Sequence, residues 1–286
     1  MNVPGLLLSC GLSFVFLCLV FRPLELAFPA RRGQRFLRPA WWTDLGFFTG
    51  QYLLWNGLIF WLLSNAGGCL TGAVPAGIRA SVASQSWWAQ AIEVIFLSDL
   101  CVYWGHRLQH RVGWLWRFHS IHHSAEHLDW LAAHREHPVD TVYTLTLINL
   151  PAFLLGFPLA TLAGLIAFRG IWAIYIHSNV RLPIGPLRVL VGAPELHHWH
   201  HDRDRDFGNY ANVSPLMDVL FGTYHCPDHE PESFGVWEQM PQSYLAQLAH
   251  PFRRRWRRQT SPLPVVNSEE THDIDAGLTP VEVRSC

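Results

Sequence analysis

Asp99-Leu-Cys-Val-Tyr-Trp-Gly-His-Arg-Leu-Gln-His110 ends an apolar run with two histidines four residues apart. On a helix, residues at i and i+3 or i+4 share a face, so His106 and His110 point the same way from the end of one apolar helix. Two further boxes follow: His119-Ser-Ile-His122-His123 and His197-His198-Trp199-His200-His201. His119, His122 and His123 form one helical tripod, and His197, His200 and His201 form another. The lone His177 ends an apolar stretch that leads towards the third box. Thirteen of the seventeen histidines fall in this region, interleaved with Trp, Arg and apolar residues, which excludes an affinity tag or a low-complexity storage tract. Eight or nine neutral nitrogen donors are too many for one metal and suit two. Imidazole donors favour a borderline transition metal over magnesium or calcium.

The surroundings of the boxes read as lipid. Val3–Phe21 and Leu45–Leu63 carry no charge, and each is near the 20 or so apolar residues that cross a bilayer. Trp88–Trp104 is apolar apart from Glu93 and Asp99, while Thr141–Phe157 and Leu159–Ile176 are separated by Pro158 and interrupted only by Arg169. The fold class expected is therefore all-α: a polytopic membrane protein with four to five transmembrane helices and a cytosolic, histidine-rich helical cap. Tryptophans at the ends of these runs (Trp41, Trp42, Trp87, Trp88, Trp104) fit an aromatic belt. The first run lacks a basic start and a small-residue cleavage site, and reads as a retained anchor. Four regions follow: membrane helices over 1–90, the histidine-box region over 91–226, an amphipathic basic segment over 227–258, and a polar, Pro-containing disordered tail over 259–286.

All 21 basic residues are arginine, a usage that points to a GC-rich bacterial genome. Arg22, Arg31, Arg32, Arg35 and Arg38 lie between the first two apolar runs, and Arg253–Arg258 follows the last. The positive-inside rule puts these regions, and with them all three boxes, on the cytoplasmic side of what is expected to be a bacterial inner membrane. Beside membrane helices the Arg253–Arg258 run fits anionic lipid better than nucleic acid. The six cysteines have no paired spacing, so neither a disulfide framework nor an iron–sulfur site is expected. No Gly-rich dinucleotide fingerprint occurs, and no flavin or NAD site is expected. Reducing equivalents must come from an external donor: a ferredoxin, or a b-type cytochrome with its reductase.

Over roughly Ile92–Tyr224 the chain resembles the integral-membrane fatty acid hydroxylase superfamily, which includes sterol desaturases, sterol methyl oxidases and sphingolipid fatty acid hydroxylases. The resemblance rests on the 99–110 stretch and on Leu115-Trp-Arg-Phe-His-Ser-Ile-His-His-Ser124. It continues through His177-Ser-Asn179, His197–His201 and the closing run Asn209–Tyr224. Met217 departs from it, standing where bacterial relatives often have Trp. Membership implies a four-helix membrane base, a cytosolic cap and a di-iron centre between them; imidazole sites also accept zinc, which could substitute for iron. It also implies dioxygen-dependent hydroxylation or desaturation of a lipid.

The ligands expected are His106, His110, His119, His122, His123, His177, His197, His200 and His201, with His134 and His137 as further candidates. His137-Pro138 starts the next helix, since proline suits a first turn. Groups expected to brace the ligands are Asp99, Glu126, Asn179, His198, Asn209 and Asp218, with Asp129, Glu136 and Glu195 beside them. Arg169, deep in an apolar run, needs a partner or a shallow helix, and Glu93 and Asp99 are the acids within the other apolar spans. Two other classes fit less well: a membrane metal carrier, which would place its ligands at mid-membrane, and an inactive scaffold, which would show a gap in a box.

Overall fold

The computed structural model describes residues 3–157 and 159–253; the expectations for 259–286 and for Arg254–Arg258 lie outside them. Among the described residues the chain is helical, with two isolated antiparallel bridges, Pro29 with Val180 and Asp202 with Phe234. Helix α1 spans Val3–Ala27 and continues through Pro23. Helices α2 (Trp41–Gly50) and α3 (Asn56–Ala73) form one rod joined by a π-helical turn over Gln51–Trp55. A short α4 (Ala76–Ser84) occupies what reads in the sequence as a connection. Then come α5 (Trp87–Arg111), α6 (Gly113–His123), α7 (Pro138–Leu155) and α8 (Leu159–His177). Three short helices follow: α9 (Pro194–His200), α10 (Leu216–Leu220) and α11 (Tyr244–Ala249).

Among the described residues, three helical stretches are long and apolar enough to cross a membrane: Val3–Ala27, Trp41–Ala73 and Pro138–Leu155. Helix α5 carries Glu93 and Asp99 in its apolar part, and its last turns carry His106 and His110, so one rod joins the apolar body to the site. It packs closely on α7. A Cβ on Gly105 would stand 2.0 Å from Leu147 Cδ1, and Ser98 Oγ donates to the Ile148 carbonyl at 2.7 Å. The glycine next to His106 thus lets the two helices approach at the level of the site. Gly46 and Gly50, one turn apart on α2, make a slot for the Tyr244 ring, whose hydroxyl accepts from Trp55 Nε1 at 2.9 Å.

Charged residues latch the first two helices to the histidine-bearing segments. Glu25, buried near the end of α1, accepts the backbone N–H groups of Trp130 (3.0 Å) and Asn179 (3.3 Å). Asp44, in the first turn of α2, meets Arg38 at 2.7 Å and Arg135 at 2.5 Å, and Arg38 grips Asp129 with two bonds of 2.6 Å. All four side chains are buried, and the two cations balance the two anions. Removing one member of such a set is costly because its partner is left charged and dry. Arg169 is buried too, and donates from Nη2 to Asp99 Oδ1 at 2.5 Å. The mid-helix arginine is therefore paired, and the pair fixes α8 against α5.

Candidate metal centre

Nine histidines converge into two groups. His106, His110, His119, His123 and His200 form the first; His122, His177, His197 and His201 form the second, and the ring nitrogens within each lie within 4.8 Å of one another. The helical geometry of the boxes explains the division. In His119–His123 the i and i+4 members join the first group, while the i+3 member, His122, turns to the second. In His197–His201 the roles are reversed: His197 and His201 join the second group and His200 the first. Successive helical residues differ by about 100°, so each His-His pair splits between the groups and ties them together. The tripod expected of each box is thus not one ligand set; each box straddles both.

Nitrogen chemistry tests whether the groups fit a metal. His106 Nδ1 donates to the Tyr210 carbonyl at 2.9 Å and His119 Nδ1 to Asp140 Oδ2 at 2.9 Å. With each proton on Nδ1, as those oxygen acceptors require, the two Nε2 atoms meet at 3.0 Å as bare lone pairs. The second group repeats the arrangement. His122 Nδ1 donates to the Arg135 carbonyl (3.2 Å) and His177 Nδ1 to the Ala173 carbonyl (2.6 Å), leaving their Nε2 atoms 2.9 Å apart. His197 Nε2 completes the cluster, 2.8 Å from His177 Nε2 and 3.0 Å from His201 Nε2. Facing lone pairs repel unless a cation lies between them. At metal–nitrogen distances of about 2.1 Å, two ligands near a right angle stand about 3 Å apart, which is the spacing seen. The residues present fit a pair of metal ions.

Burial keeps the rings neutral. The His119 imidazole is pushed down to about 3 by desolvation. Desolvation first, and then neighbouring imidazoles, hold His122, His123, His197, His200 and His201 well below the ordinary histidine value. At neutral pH their lone pairs are therefore free for a metal. The first group is also flanked by aromatic rings: Trp116 lies 5.1 Å from His110 and 5.2 Å from His123, and Tyr210 lies 5.3 Å from His110.

The bracing groups differ in part from those expected. Asn209, in the left-handed region at φ 54°, donates to the carbonyls of Leu196 (2.9 Å) and His225 (2.6 Å). Asp218 accepts the backbone N–H groups of Tyr210 and Ala211, both at 2.8 Å. Together they hold the 208–211 turn, whose Gly208 and Tyr210 carbonyls accept from His200 (2.8 Å) and His106. His198 bridges Glu230 (2.6 Å) and the Ser178 carbonyl (3.1 Å), and so braces the residue after His177. Asn179 clamps the backbone of Arg31. Glu126 is exposed. Asp99 serves Arg169, Asp129 serves Arg38, Glu136 accepts from Thr141 (2.9 Å), and Glu195 sits in the first turn of α9.

His134 and His137 join neither group. His134 Nδ1 bonds Gln51 Oε1 at 3.1 Å, at the π-helical turn. His137 does precede α7 with Pro138 in the first turn, but its Nδ1 accepts the Val139 N–H at 3.1 Å and its Nε2 donates to the Leu248 carbonyl at 3.1 Å. Both nitrogens are used to cap a helix and fasten α11, so the ring does not face the histidine groups. The bracing residues that sequence reading missed are Asp140, Gln109 and Arg135. Asp140 holds His119 and is itself held by Gln109 at 2.5 Å. An acid in the first turn of an otherwise uncharged helix was the available signal for Asp140. Arg135 acts through its backbone carbonyl, which no sequence signal could show.

Fold and site together define a helical protein with membrane-length helices and two adjoining histidine groups, each of which could hold a metal ion. Comparison with known proteins agrees. The fatty acid hydroxylase family profile matches residues 91–223. An ornithine lipid hydroxylase of Rhizobium tropici is 31% identical over 223 residues, 71% of this chain and 67% of that protein. The alkylglycerol monooxygenase of Homo sapiens is 31% identical over 147 residues, 51% of this chain but 32% of that protein. A very-long-chain aldehyde decarbonylase of Oryza sativa subsp. japonica is 31% identical over 154 residues, 51% of this chain and 58% of that protein. No solved structure is significantly similar. The chain belongs to the fatty acid hydroxylase family.

Proposed function

We propose that this protein is a membrane-bound di-iron oxygenase that hydroxylates an unactivated C–H position of a lipid, using dioxygen and two electrons from an external donor. The observation that carries this reading is the opposition of Nε2 lone pairs within two adjoining histidine groups. The first group would hold one iron through His106, His110, His119, His123 and His200, and the second the other through His122, His177, His197 and His201. Iron bound there supplies the redox chemistry that acid–base side chains cannot bring to an inert C–H bond. The chain's own residues do the rest. Asp140, Arg135, Tyr210, Gly208 and Ala173 fix ring tautomers and directions, and burial of the groups keeps bulk water out.

In this reading α5 and α8 accompany the three membrane-length stretches into the bilayer, and the arginine-rich 22–38 segment puts the centre on the cytoplasmic side. Ferredoxin, or a b-type cytochrome with its reductase, supplies the electrons. Hydroxylation is favoured over desaturation by the ornithine lipid hydroxylase relative. Lipid mass spectrometry of a deletion strain beside its parent tests the proposal. The expected outcome is loss of a lipid and accumulation of its counterpart lacking one oxygen atom. A difference of two hydrogens would make the enzyme a desaturase, and unchanged lipids in a strain known to express the protein would refute both.

A further inference from the structure

Helix α10 lies along the side of α5 rather than over its end. Phe221, which follows α10, packs on the rings of Tyr103 and Trp104, each at 5.0 Å between centroids. Leu216 and Met217, at its start, share an apolar cavity of ≈ 190 Å³ with Ile92, Ile95, Phe96 and Asp99 of α5. Ser214, just before the helix, donates its N–H to Asp99 Oδ2 at 3.1 Å. The 185–191 segment joins the same surface. Ser214 Oγ donates to the Leu190 carbonyl at 2.6 Å, and the Gly192 N–H to the Val213 carbonyl at 2.9 Å.

In the proposed topology α5 crosses the bilayer from Trp87 and Trp88, and the inference below rests on that reading. Along the helix Asp99 stands about 16 Å from Trp88 and Trp104 about 24 Å, both inside a hydrocarbon core of about 30 Å. A segment bonded to Asp99 and packed on Trp104 therefore shares the depth of the hydrocarbon. What it turns outward is apolar. Leu187, Leu190 and Leu220 are 57%, 58% and 66% exposed, and Val189, Leu216 and Val219 are exposed as well. Contiguous apolar surface of this kind marks a face that meets a protein or a membrane. Its two charges are turned away: Asp218 is buried on the backbone of Tyr210 and Ala211, and Arg188 reaches out to the exposed Asp228 at 3.0 Å. Lipid has no partner for an open backbone donor, and here the donors are taken. The Leu187 N–H bonds the Ile184 carbonyl, those of Leu190 and Val191 bond the Leu187 carbonyl, and those of Val219 and Phe221 bond Pro215 and Met217.

We propose that the 187–191 segment and α10 are embedded among the acyl chains of the leaflet on the histidine-bearing side, alongside α5. The occupant of this face is lipid because the face continues the exposed apolar side of α5, where Ile92 and Phe96 are 62% and 46% exposed. Those two residues and Leu216 border the cavity, so its mouth meets acyl chains rather than water. Part of the chain that follows α8 is thus a membrane surface and not a cap held clear of the bilayer.

The test uses nitroxide spin labels on the full chain, its six native cysteines replaced by serine, in vesicles of phosphatidylethanolamine and phosphatidylglycerol. Labels go on Leu190→Cys and Leu220→Cys, with Phe96→Cys as the α5 control and the exposed Glu232→Cys as the water control. Collisions are measured with oxygen, which concentrates in acyl chains, and with a water-soluble nickel chelate. At Leu190 and Leu220 the oxygen-to-nickel ratio should exceed that at Glu232 several-fold and approach that at Phe96. A ratio at either site equal to that at Glu232, with Phe96 lipid-like, overturns the inference and leaves α5 in the bilayer. A water-like ratio at Phe96 as well removes α5 from the bilayer, and both readings fall. Labels shielded from both reagents, with spectra that broaden as the protein-to-lipid ratio rises, place a second copy of the chain on this face and also overturn the inference. Metal loading enters none of these outcomes, so the di-iron reading is judged separately, by the lipid analysis above.

Discussion

At the residue scale, the division of each histidine box between two groups makes neighbouring residues unequal. His123 belongs to a group of five nitrogen donors and His122 to a group of four. Removing His123 leaves four donors in the first group, enough for a borderline metal, whereas removing His122 leaves three in the second. His122→Ala should therefore fall from about two metal ions per chain to about one, while His123→Ala keeps more than one and loses affinity instead. Metal analysis of protein purified in mild detergent, with titration by a chelator of graded strength, reads both. Equal loss in the two variants would mean that the groups do not act as separate sites. The ligand residues were legible in the sequence because i, i+3, i+4 spacing is local. Their partition was not, because it depends on how α6 and α9 face each other. Asp140 and Arg135 were missed for separate reasons: Asp140 acts across helices, from α7 to His119, and Arg135 acts through a main-chain carbonyl.

At the scale of elements, the apolar runs revealed α7 and α8 to within three residues, since hydropathy is a property of the segment itself. Val3–Phe21, by contrast, stopped six residues short of the end of α1, and Leu45–Leu63 ten short of the end of α3. The run at Trp88–Trp104 was too short by seven residues at its C-terminal end, because the last turns of α5 are polar and are held helical by their neighbours. The π-helical turn and α4 left no periodic signal. What ties the elements together is ionic. Asp44 at the head of α2 fixes the guanidinium of Arg135, and the carbonyl of Arg135 fixes His122. Asp44→Asn leaves the buried Arg135 without its carboxylate and Arg38 with Asp129 alone, so stability should fall by about 3–5 kcal/mol, and the metal of the second group should be lost before that of the first. Thermal unfolding and metal content of this variant, beside Asp44→Glu as a partial rescue, measure both effects. A variant with wild-type stability would show that the network carries no weight.

For the molecule as a whole, orientation joins the site to its partners. An external electron donor can reach the centre only if the face bearing the three boxes is turned to the compartment that holds the donor. In the proposed orientation the arginines between α1 and α2 keep that segment in the cytoplasm, as juxtamembrane basic residues are retained there. The α2–α3 rod is 33 residues long, or about 50 Å at 1.5 Å per residue, more than the hydrocarbon core of about 30 Å. It can cross the bilayer and deliver the 74–86 connection to the opposite side; in the proposed topology α5 would then return and bring His106 and His110 back beside the 22–38 segment. Contacts within the chain put the segment after α1 and the histidine boxes on one side. Glu25 at the end of α1 bonds Trp130 and Asn179, and Gln34 Nε2 donates to the Leu128 carbonyl at 2.8 Å, so the segment after α1 lies on the histidine-bearing side. Alkaline phosphatase, which is active only outside the cytoplasm, should therefore be active when joined after Ser84 and inactive when joined after Arg253. A fluorescent protein that folds only in the cytoplasm should give the opposite pair. Phosphatase activity after Arg253 would turn the centre away from cytoplasmic donors and overturn the proposed source of electrons, while leaving the metal groups and the fold as described.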